Sequence, residues 1–353
     1  MVVDRLEKEI VDLKKKKVTI NDIARISGYS KTAVSFAFNN PSKISKEAVK
    51  TILSTAEKLG YFPDPLARRF SLQRHESIGF LLPQTYHYSF KNPYIMSIIE
   101  GVGTFSHNHF YNLTLIAPIN ESVTTALQRA AIDALIVQGL NFDTEIASLI
   151  KSRKLPTVAI DGIPSLDIGS VNIDDKKAAN ELMQEVLQCG HRNLAIVELP
   201  DLSYTKEKSH GILELRSEGY QEAFDRYNVD KESINYYKTE CSFTGGVEVA
   251  YKILKMPKLP TCIVTMSDIV AIGIMTVLTK NGINIPNQIS VVGFDNIGES
   301  IYVSPRLTTV SQPSYEKGFQ AAQIIFEILK GEKARQIKLP HSLVKRESLK
   351  KID

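Results

Sequence analysis

Polar side chains stand directly after several apolar runs that have the length and composition of buried strands. These residues are Gln84, Asp161, Ser267, Asp268 and Asp295. In open α/β sheets the ligand lies beyond the carboxyl ends of the strands, so a binding site is expected at these positions. Carboxylates accept paired hydrogen bonds from neighbouring hydroxyl groups, which suits a hydroxyl-rich small molecule.

A structural alternative exists for the three aspartates, because they could simply cap turns or helices after their strands. For Asp268 we favour the capping role, since a helical pattern begins at Ile269. Asp161 and Asp295 keep both interpretations on spacing alone.

Short β-rich runs and amphipathic stretches alternate from residue 78 onward. The predicted strands are 78–82, 113–117, 134–137, 157–160, 194–197, 234–238, 262–265 and 290–294. The clearest predicted helices between them are 95–105, 178–188 and 246–254. This alternation, repeated twice, predicts an α/β core of two lobes, each a doubly wound parallel sheet.

A different pattern occupies residues 18–40, where two short helical runs are broken at Ser27-Gly28-Tyr29. Thr19 and Asp22 fit a capping box at the start of the first helix, and Ser30 fits the N-cap of the second. The outer face of the second helix carries Lys31, Thr32, Ser35 and Phe36. This layout predicts a helix-turn-helix whose second helix enters a DNA major groove.

A third helix is predicted between Ser45 and Gly60. Three such helices could also form a small bundle without a nucleic-acid role, but the net charge of the segment argues against that alternative. Residues 14–76 hold thirteen Lys and Arg against five Asp and Glu, a net charge of +8. The whole chain is only +4, so the remainder is −4. Basic charge concentrated in one terminal segment is typical of a surface that binds phosphates.

Several segments resemble the lactose/galactose repressor family of bacterial transcription regulators. Residues 18–40 and the run ISKEAVKTILSTAEKLGYFPDPLAR (44–68) resemble the family's DNA-binding headpiece. The runs SPRLTTVSQPSYEKGFQAAQIIFEILKG (304–331) and IKLPHSLVKRES (337–348) resemble the end of its core. The resemblance spans nearly all of residues 18–348. It implies a two-lobed core of the periplasmic sugar-binding type, late strands and a helix that cross between the lobes, and a homodimer.

The resemblance also implies effector contacts for Arg216 in RSEGY, Asp295 in VGFDN and Asp161 in the first lobe. It implies that Phe243 stacks on the ligand and that Tyr94 closes the pocket, although both aromatics could equally be core residues. The predicted effector site is Tyr94, Asp161, Arg216, Phe243, Ser267 and Asp295. Carboxylates, an arginine and aromatic faces together suit a sugar.

The predicted linker begins with Asp64 as an N-cap and Pro65 in the first turn of a short helix. The family's hinge helix folds on operator DNA and inserts an apolar wedge into the minor groove, which implies that role for Phe70. Packing of Phe70 on the core is the alternative. The predicted DNA-binding residues are Thr19, Ser30, Lys31, Thr32, Ser35, Phe36, Asn39, Arg68 and Phe70.

The composition argues against several other classes of protein. The chain has no run of eighteen apolar residues and its first residues are charged, so neither a membrane span nor a signal peptide is predicted. The three cysteines lack a CxxC spacing, which favours reduced thiols in a cytoplasm. No GxSxG, HExxH or GxxxxGK[ST] motif is present. We therefore expect no enzyme activity, no cofactor and no metal.

The predicted domains are an extension (1–17), a helix-turn-helix domain (18–62), a hinge (63–76), an effector-binding and dimerisation core (77–348) and a tail (349–353). The extension could be a short packing helix, an arm near DNA or a disordered leader, and its charge run favours the leader.

The predicted function is a ligand-responsive, sequence-specific DNA-binding transcription regulator. Repression is the favoured role, and activation is the alternative. Its expected partners are a near-palindromic operator, a sugar-like effector and a second copy of the chain. The alternatives are a transport-type sugar-binding protein without a DNA role and an enzyme on a Rossmann-like scaffold. The first predicts a secretory signal and no basic helical segment, and the second needs a cofactor or catalytic motif.

Overall fold

In a computed structural model of the chain, the described residues are 18–63, 74–82, 84–120, 122–139, 144–162, 168–200 and 211–352. They belong to two compact units, and the boundary between the units along the chain falls between His75 and Glu76. The predicted extension (1–17) and most of the predicted hinge, with Asp64, Pro65, Arg68 and Phe70, lie outside the described residues.

The first unit is a small bundle of helices α1 (Ile20–Ser27), α2 (Lys31–Asn39) and α3 (Lys46–Leu59). A single 3₁₀ turn, Pro41–Lys43, joins the last two. The apolar stripes of all three helices meet in one core, whose buried members are Ile23, Val34, Ala37, Ile52, Ala56 and Leu59. Burial of these stripes stabilises helices that would be too short to persist alone.

Local signals set the ends of these helices as the sequence predicts. The Ser30 hydroxyl accepts a hydrogen bond from the Ala33 N–H at 3.1 Å, and Ser45 does the same for Ala48 at 3.2 Å. The Asp22 carboxylate accepts from the Thr19 N–H at 2.9 Å. Gly28 has a φ of 76°, a left-handed conformation that glycine adopts without strain, so it makes the turn between α1 and α2.

The second unit is built from strands and helices that alternate along the chain. Its strands are β1 (Ser77–Leu81), β2 (Asn112–Ile116), β3 (Ala134–Gln138), β4 (Thr157–Ile160), β5 (Gly169–Asn172), β6 (Leu194–Glu198), β7 (Ile234–Lys238), β8 (Cys262–Thr265), β9 (Ser290–Asp295), β10 (Thr308–Ser311), β11 (Gln336–Lys338) and β12 (Ser342–Val344). Its helices are α4 (Tyr86–Ser89), α5 (Pro93–Asn108), α6 (Val123–Arg129), α7 (Thr144–Ser152), α8 (Asp175–Gln188), α9 (Ile212–Arg226), α10 (Phe243–Ile253), α11 (Asp268–Lys280) and α12 (Ser314–Leu329).

The strands form two sheets, one in each lobe. The first has the order β11-β5-β4-β3-β1-β2 and the second β12-β10-β9-β8-β6-β7. Neighbouring strands are parallel except β10 and β12, which are antiparallel. All eight predicted strands are present, so the predicted α/β core of two doubly wound sheets is confirmed.

Within the described residues the chain passes between the lobes three times. It leaves the first sheet after β5 and enters α8, returns after β10 into α12, and passes again from β11 to β12. The predicted crossing of the late strands and helix is therefore confirmed. The first two crossings deliver Asp175 and Gln312 to the region where the two lobes meet.

Helices α5 and α12 pack at very close range on the first lobe. A methyl group on Gly101 would collide with the backbone oxygen of Tyr315, and one on Gly318 would collide with that of Ile98. The glycines thus allow the two backbones to touch. This contact fixes α12, and with it Lys317, against the first lobe.

Candidate functional site

The outer face of α2 is one exposed polar surface of the first unit. Ser30, Lys31 and Thr32 are exposed at its start, and Ser35, Phe36 and Asn39 are partly exposed further along. The Asn39 amide donates to the Ser35 hydroxyl at 3.3 Å, so these two side chains form one polar edge. Thr19, at the start of α1, is also exposed and donates its hydroxyl hydrogen to Asp22 at 2.7 Å.

Lys43 belongs to the same surface, although it was absent from the predicted DNA-binding residues. Its ammonium lies 5.2 Å from the centroid of the Phe36 ring, over the aromatic face. A cation at this range is attracted to the ring electrons. The 3₁₀ turn thereby adds a positive charge beside the one aromatic side chain on the outer face of α2 (residues 31–39).

A second polar site lies between the two sheets of the core, where Lys317 is completely buried. Its ammonium donates to the Tyr94 hydroxyl at 2.9 Å and to the Gln312 amide oxygen at 2.6 Å. It also forms an ion pair with Asp161. We call Tyr94, Asp161, Asp295, Gln312 and Lys317 the cleft cluster.

Asp161 follows strand β4 and collects hydrogen bonds from the first lobe. The Tyr94 hydroxyl donates to it at 2.5 Å, and the Gln138 amide donates to the same carboxylate oxygen at 3.5 Å. Burial, and after it the charge of Asp161, hold the pKa of Tyr94 well above its ordinary value, so the phenol stays a donor. The amide oxygen of Gln138 is buried and has no hydrogen-bond partner.

Asp295 ends strand β9 and faces the cluster from the second lobe. The Gln312 amide donates to one carboxylate oxygen at 2.6 Å, and the Ser267 hydroxyl donates to the other at 2.9 Å. Burial raises the pKa of Asp295 to about 6, against the opposing effect of Arg216. Gln312 therefore contacts the second lobe with its nitrogen and Lys317 of the first lobe with its oxygen.

Arg216 projects from α9 and is 5% exposed. Its guanidinium pairs with Asp175 at 2.9 Å, donates to the Met266 backbone oxygen at 2.9 Å and stacks 3.7 Å from the Phe294 ring centroid. Burial alone would lower the pKa of Arg216, but Asp175 and Asp295 outweigh it and raise that pKa above its ordinary value. The arginine is a fixed cation whose charge is already paired.

Two residues at strand ends have other roles than the ligand rule suggests. Asp268 is the first residue of α11, with Ser267 at the N-cap position, so the expected capping role is wrong. Its carboxylate instead accepts from the Ile297 N–H at 3.0 Å and the Thr309 hydroxyl at 2.5 Å, which ties the loop after β9 to α11. Gln84 is half-buried ahead of α4, and its backbone oxygen accepts from Ser89 at 3.5 Å.

Phe243 is the predicted site residue that the structure does not bring to the cleft cluster. It is the first residue of α10 and is 41% exposed. Cys241, two residues earlier, is buried and accepts a hydrogen bond from the Asn92 amide at 3.4 Å. Burial raises the pKa of the Cys241 thiol to about 12, so it is a neutral thiol.

Sequence reasoning missed three residues of this site. Gln138 is the last residue of β3, so the strand-end rule could have found it had the predicted strand been one residue longer. Lys317 lies in an amphipathic helix, where a lysine normally indicates an exposed face, and nothing local marks it as buried. Gln312 lies between β10 and α12, where the chain crosses from one lobe to the other. Nothing in the local sequence indicates that its side chain contacts both lobes.

The described residues contain neither a candidate metal site nor a helix suited to a membrane. No group of three or more His, Cys, Asp and Glu side chains in this part of the chain is arranged to hold a metal ion. No helix among the same residues is long and apolar enough to cross a membrane.

Comparison with known proteins identifies both units. Residues 19–64 match the family described as bacterial regulatory proteins, lacI family. Residues 183–349 match the periplasmic binding protein-like domain. The resemblance inferred from the sequence is therefore confirmed.

Relatives whose alignments span both units are also transcription regulators. The HTH-type transcriptional regulator Rv3575c of Mycobacterium tuberculosis is 28% identical over 331 residues, covering 89% of this chain and 91% of that protein. The HTH-type transcriptional repressor CytR of Escherichia coli K12 is 27% identical over 324 residues, covering 89% of this chain and 90% of the repressor.

Solved structures share the fold. The lac repressor dimer bound to operator and the anti-inducer ONPF aligns with a TM-score of 0.80 at 21% identity, covering 95% of this chain and 100% of that one. A LacI family transcriptional regulator from Enterococcus faecium with bound ribose aligns with a TM-score of 0.69 at 23% identity, covering 78% and 100%. With a helix-turn-helix unit, a two-lobed core and relatives that span both, this chain belongs to the lacI family of bacterial regulatory proteins and is a DNA-binding transcription regulator.

Proposed function

We propose that this protein is a cytoplasmic repressor that binds operator DNA as a homodimer under the control of a sugar-like effector. The observation that carries the proposal is the cleft cluster, in which buried polar side chains from both lobes converge on one point. The repressor CytR is a relative over both units, and the lac repressor of similar fold binds operator as a dimer.

The proposed DNA surface is the outer face of α2 with its surroundings. Its members are Thr19, Ser30, Lys31, Thr32, Ser35, Phe36 and Asn39, with Lys43 added by the structure, and Arg68 and Phe70 remain proposals outside the described residues. The net charge of +8 over residues 14–76 supports this assignment. Phosphate contacts would supply most of the affinity, and the α2 side chains would read the bases.

The proposed domain boundaries give each of three segments its own role. Residues 18–62 would bind DNA, 63–76 would act as a hinge, and 77–348 would bind the effector and the partner subunit. The extension (1–17) and the tail (349–353) carry no proposed function.

The proposed effector site is the space beside the cleft cluster. Its proposed contacts are Tyr94, Asp161, Arg216, Ser267 and Asp295, joined by Gln138, whose buried amide oxygen lacks a donor. Stacking of Phe243 on the effector also remains a proposal, and it rests on the exposed aromatic ring at the start of α10. The regulator of similar fold that contains ribose supports a ligand of this chemistry.

Control would operate through lobe closure. A ligand that hydrogen-bonds to both lobes favours the arrangement in which both sets of contacts form at once, by the difference in its affinity for the two states. The changed arrangement of the lobes would then reach the hinge segments of the dimer and alter their fit to DNA.

The alternatives explain less of the molecule. A transport-type binding protein would account for the two lobes but leaves the basic helix-turn-helix unit without a role. An enzyme on the same scaffold would need a reactive group, whereas the relatives over both units are transcription regulators.

A thermal-shift screen with sugars and nucleosides tests the effector part. We expect a ligand selective for the folded protein to raise the melting temperature by mass action, and the same ligand to change operator affinity measured by fluorescence anisotropy. The operator sequence for the anisotropy measurement would be identified by selecting binding sites from random DNA. A ligand that raises the melting temperature without any effect on operator binding would contradict the proposed control.

A further inference from the structure

Lys317 is an unusual residue for the position that it occupies. Lysines are almost never fully buried unless they are paired, and this one has no exposed surface. It also lies in the first turn and a half of α12, which begins at Ser314, where the helix dipole disfavours a positive charge. Asp161, Tyr94 and Gln312 together accept its three N–H donors, so the protein provides complete compensation for this one cation.

Both cations beside the cleft cluster are already paired within the protein. Lys317 pairs with Asp161, and Arg216 pairs with Asp175 at 2.9 Å. Asp295 has no cation in direct contact, but both of its carboxylate oxygens accept hydrogen bonds from neutral donors. The amide oxygen of Gln138 beside Asp161 is a buried polar atom that lacks a partner, and it is a neutral acceptor.

On the basis of the proposed effector function, we propose that Lys317 is a specificity-determining residue of the cleft. By neutralising Asp161 from within, it makes the pocket select an uncharged, hydroxyl-rich effector over both its amino and its carboxylate analogues. A neutral hydroxyl group of the effector can donate to the Gln138 amide oxygen. It can also replace single hydrogen bonds of the cleft cluster without breaking either ion pair.

Charged analogues would meet a physical penalty in this pocket. An anion would find both cations already paired and would face the carboxylate of Asp295. A cation would be buried beside the Lys317 ammonium, and it could reach a carboxylate only by breaking the Lys317–Asp161 pair or by displacing the Ser267 and Gln312 donors from Asp295. Either charged group would therefore be buried near a like charge or would break existing contacts, which is costly in a poorly solvated site.

Two single substitutions should shift this selectivity in opposite directions. Lys317→Met keeps the length of the side chain but leaves Asp161 uncompensated, so a ligand ammonium can take the place of the lysine. Asp161→Asn leaves the Lys317 ammonium uncompensated, so a ligand carboxylate becomes favourable. The double variant Asp161→Asn with Lys317→Met removes both charges and should again prefer the neutral ligand.

The experiment uses the full-length protein and three matched series of probes. These are glucose, glucosamine and glucuronate; galactose, galactosamine and galacturonate; and adenosine, its 5′-amino-5′-deoxy analogue and its 5′-carboxylate. Thermal shift identifies the series in which the neutral member raises the melting temperature most, and calorimetry then measures its three affinities. Lys330→Met, at the exposed end of α12, is the matched control.

We expect the ratio of amino-analogue to neutral affinity to rise tenfold or more in Lys317→Met. We expect the ratio of carboxylate-analogue to neutral affinity to rise tenfold or more in Asp161→Asn. A purely structural role for the pair would weaken all three members of a series by the same factor and leave both ratios unchanged, which would overturn the inference. If Lys317→Met does not fold, Asp161→Asn alone gives the answer.

The outcomes also separate this inference from the proposed function. A wild-type protein that responds only to charged probes overturns the role of Lys317 while leaving effector control intact. A protein that responds to none of the nine probes, and whose operator affinity none of them changes, overturns both.

Discussion

Asp161 and Asp295 occupy equivalent places in the two lobes. Each stands at the end of the third strand of its sheet, β4 and β9, counted from the edge formed by β11 or β12. Both have left-handed backbones, with φ of 54° for Asp161 and 125° for Asp295, a region that costs energy for most residues other than glycine. Gln312 and Lys317 connect them, so two strained carboxylates from different lobes belong to one hydrogen-bonded chain.

The first prediction is that Asp295→Asn weakens effector binding tenfold or more, which corresponds to about 1.4 kcal/mol. Asparagine keeps the size of the side chain and tolerates the left-handed backbone, but it loses the acceptor charge. Paired titrations by calorimetry and operator anisotropy would show the loss in effector affinity alone. Glu299→Gln, an exposed carboxylate four residues along, is the control. Normal effector binding in Asp295→Asn would remove this residue from the pocket.

The second prediction is that effector affinity falls as the pH is lowered through about 6, because burial raises the pKa of Asp295 to about 6. Above that pH the carboxylate accepts hydrogen bonds from ligand hydroxyls, and below it the bound proton removes an acceptor. Calorimetry across this range should show the slope in the wild type and not in Asp295→Asn.

Stability of the free protein should have the opposite dependence on pH. A carboxyl group with a raised pKa binds its proton more tightly in the folded state, so this contribution is complete below about pH 4 and is lost as the pH rises through about 6. Burial also raises the pKa of Asp268 to about 8, so the loss of stability should continue until the pH reaches about 8. A chemical denaturation series in which stability rises steadily between these limits would contradict the assignment.

The third prediction concerns the buried pair of Arg216 and Asp175. Arg216→Met should lower the free energy of unfolding by about 3–5 kcal/mol, because it leaves Asp175 as a buried charge without a partner. Adding Asp175→Asn should recover most of that loss, and chemical denaturation measures both. Arg306→Met, which breaks an exposed ion pair with Glu347, is the control and should change stability far less. Equal losses in the two single variants would show that burial of the pair does not matter.

The fourth prediction concerns phosphate contacts made by the first unit. We expect Lys31→Ala to weaken operator binding and to reduce the slope of log affinity against log salt by about 0.9, the value for one phosphate contact. Lys258→Ala, an exposed lysine of the core, should leave the slope unchanged. Anisotropy titrations over a range of salt measure it, and an unchanged slope for Lys31→Ala would place that lysine away from the DNA backbone.

The fifth prediction concerns base recognition by Phe36, which cannot donate or accept hydrogen bonds but can contact a thymine methyl group. We expect a near-palindromic operator with a thymine in each half-site whose preference Phe36→Ala abolishes, at a cost of about 1–3 kcal/mol for that base pair. Lys43→Met should instead weaken binding to all sequences alike. Selection from random DNA decides it, and a guanine requirement that persists in Phe36→Ala would show that Phe36 only packs the headpiece.

Much of this molecule is readable from local sequence. Caps such as Ser30 and Ser45 and the turn at Gly28 act over three or four residues, so their types alone predict where the helices of the first unit start and end. Alternation of strand and helix predicts two parallel sheets, and the strand-end rule then predicts Asp161, Ser267 and Asp295, since parallel strands end at a common edge.

The tertiary structure alone decides which of these side chains remain available to a ligand. The local sequence around Lys317 is typical of a solvated helix residue, because sequence spacing does not record which helix packs where. The stacking role of Phe243 is implied by the family resemblance alone. The close contact of α5 with α12 buries Lys317 beside Asp161, and the crossing after β10 places Gln312 between the lobes. Lys317 meets Asp161 and Tyr94, each more than a hundred residues away in the chain, through packing rather than local propensity, so the pairing of charges in the cleft appears only in the folded chain.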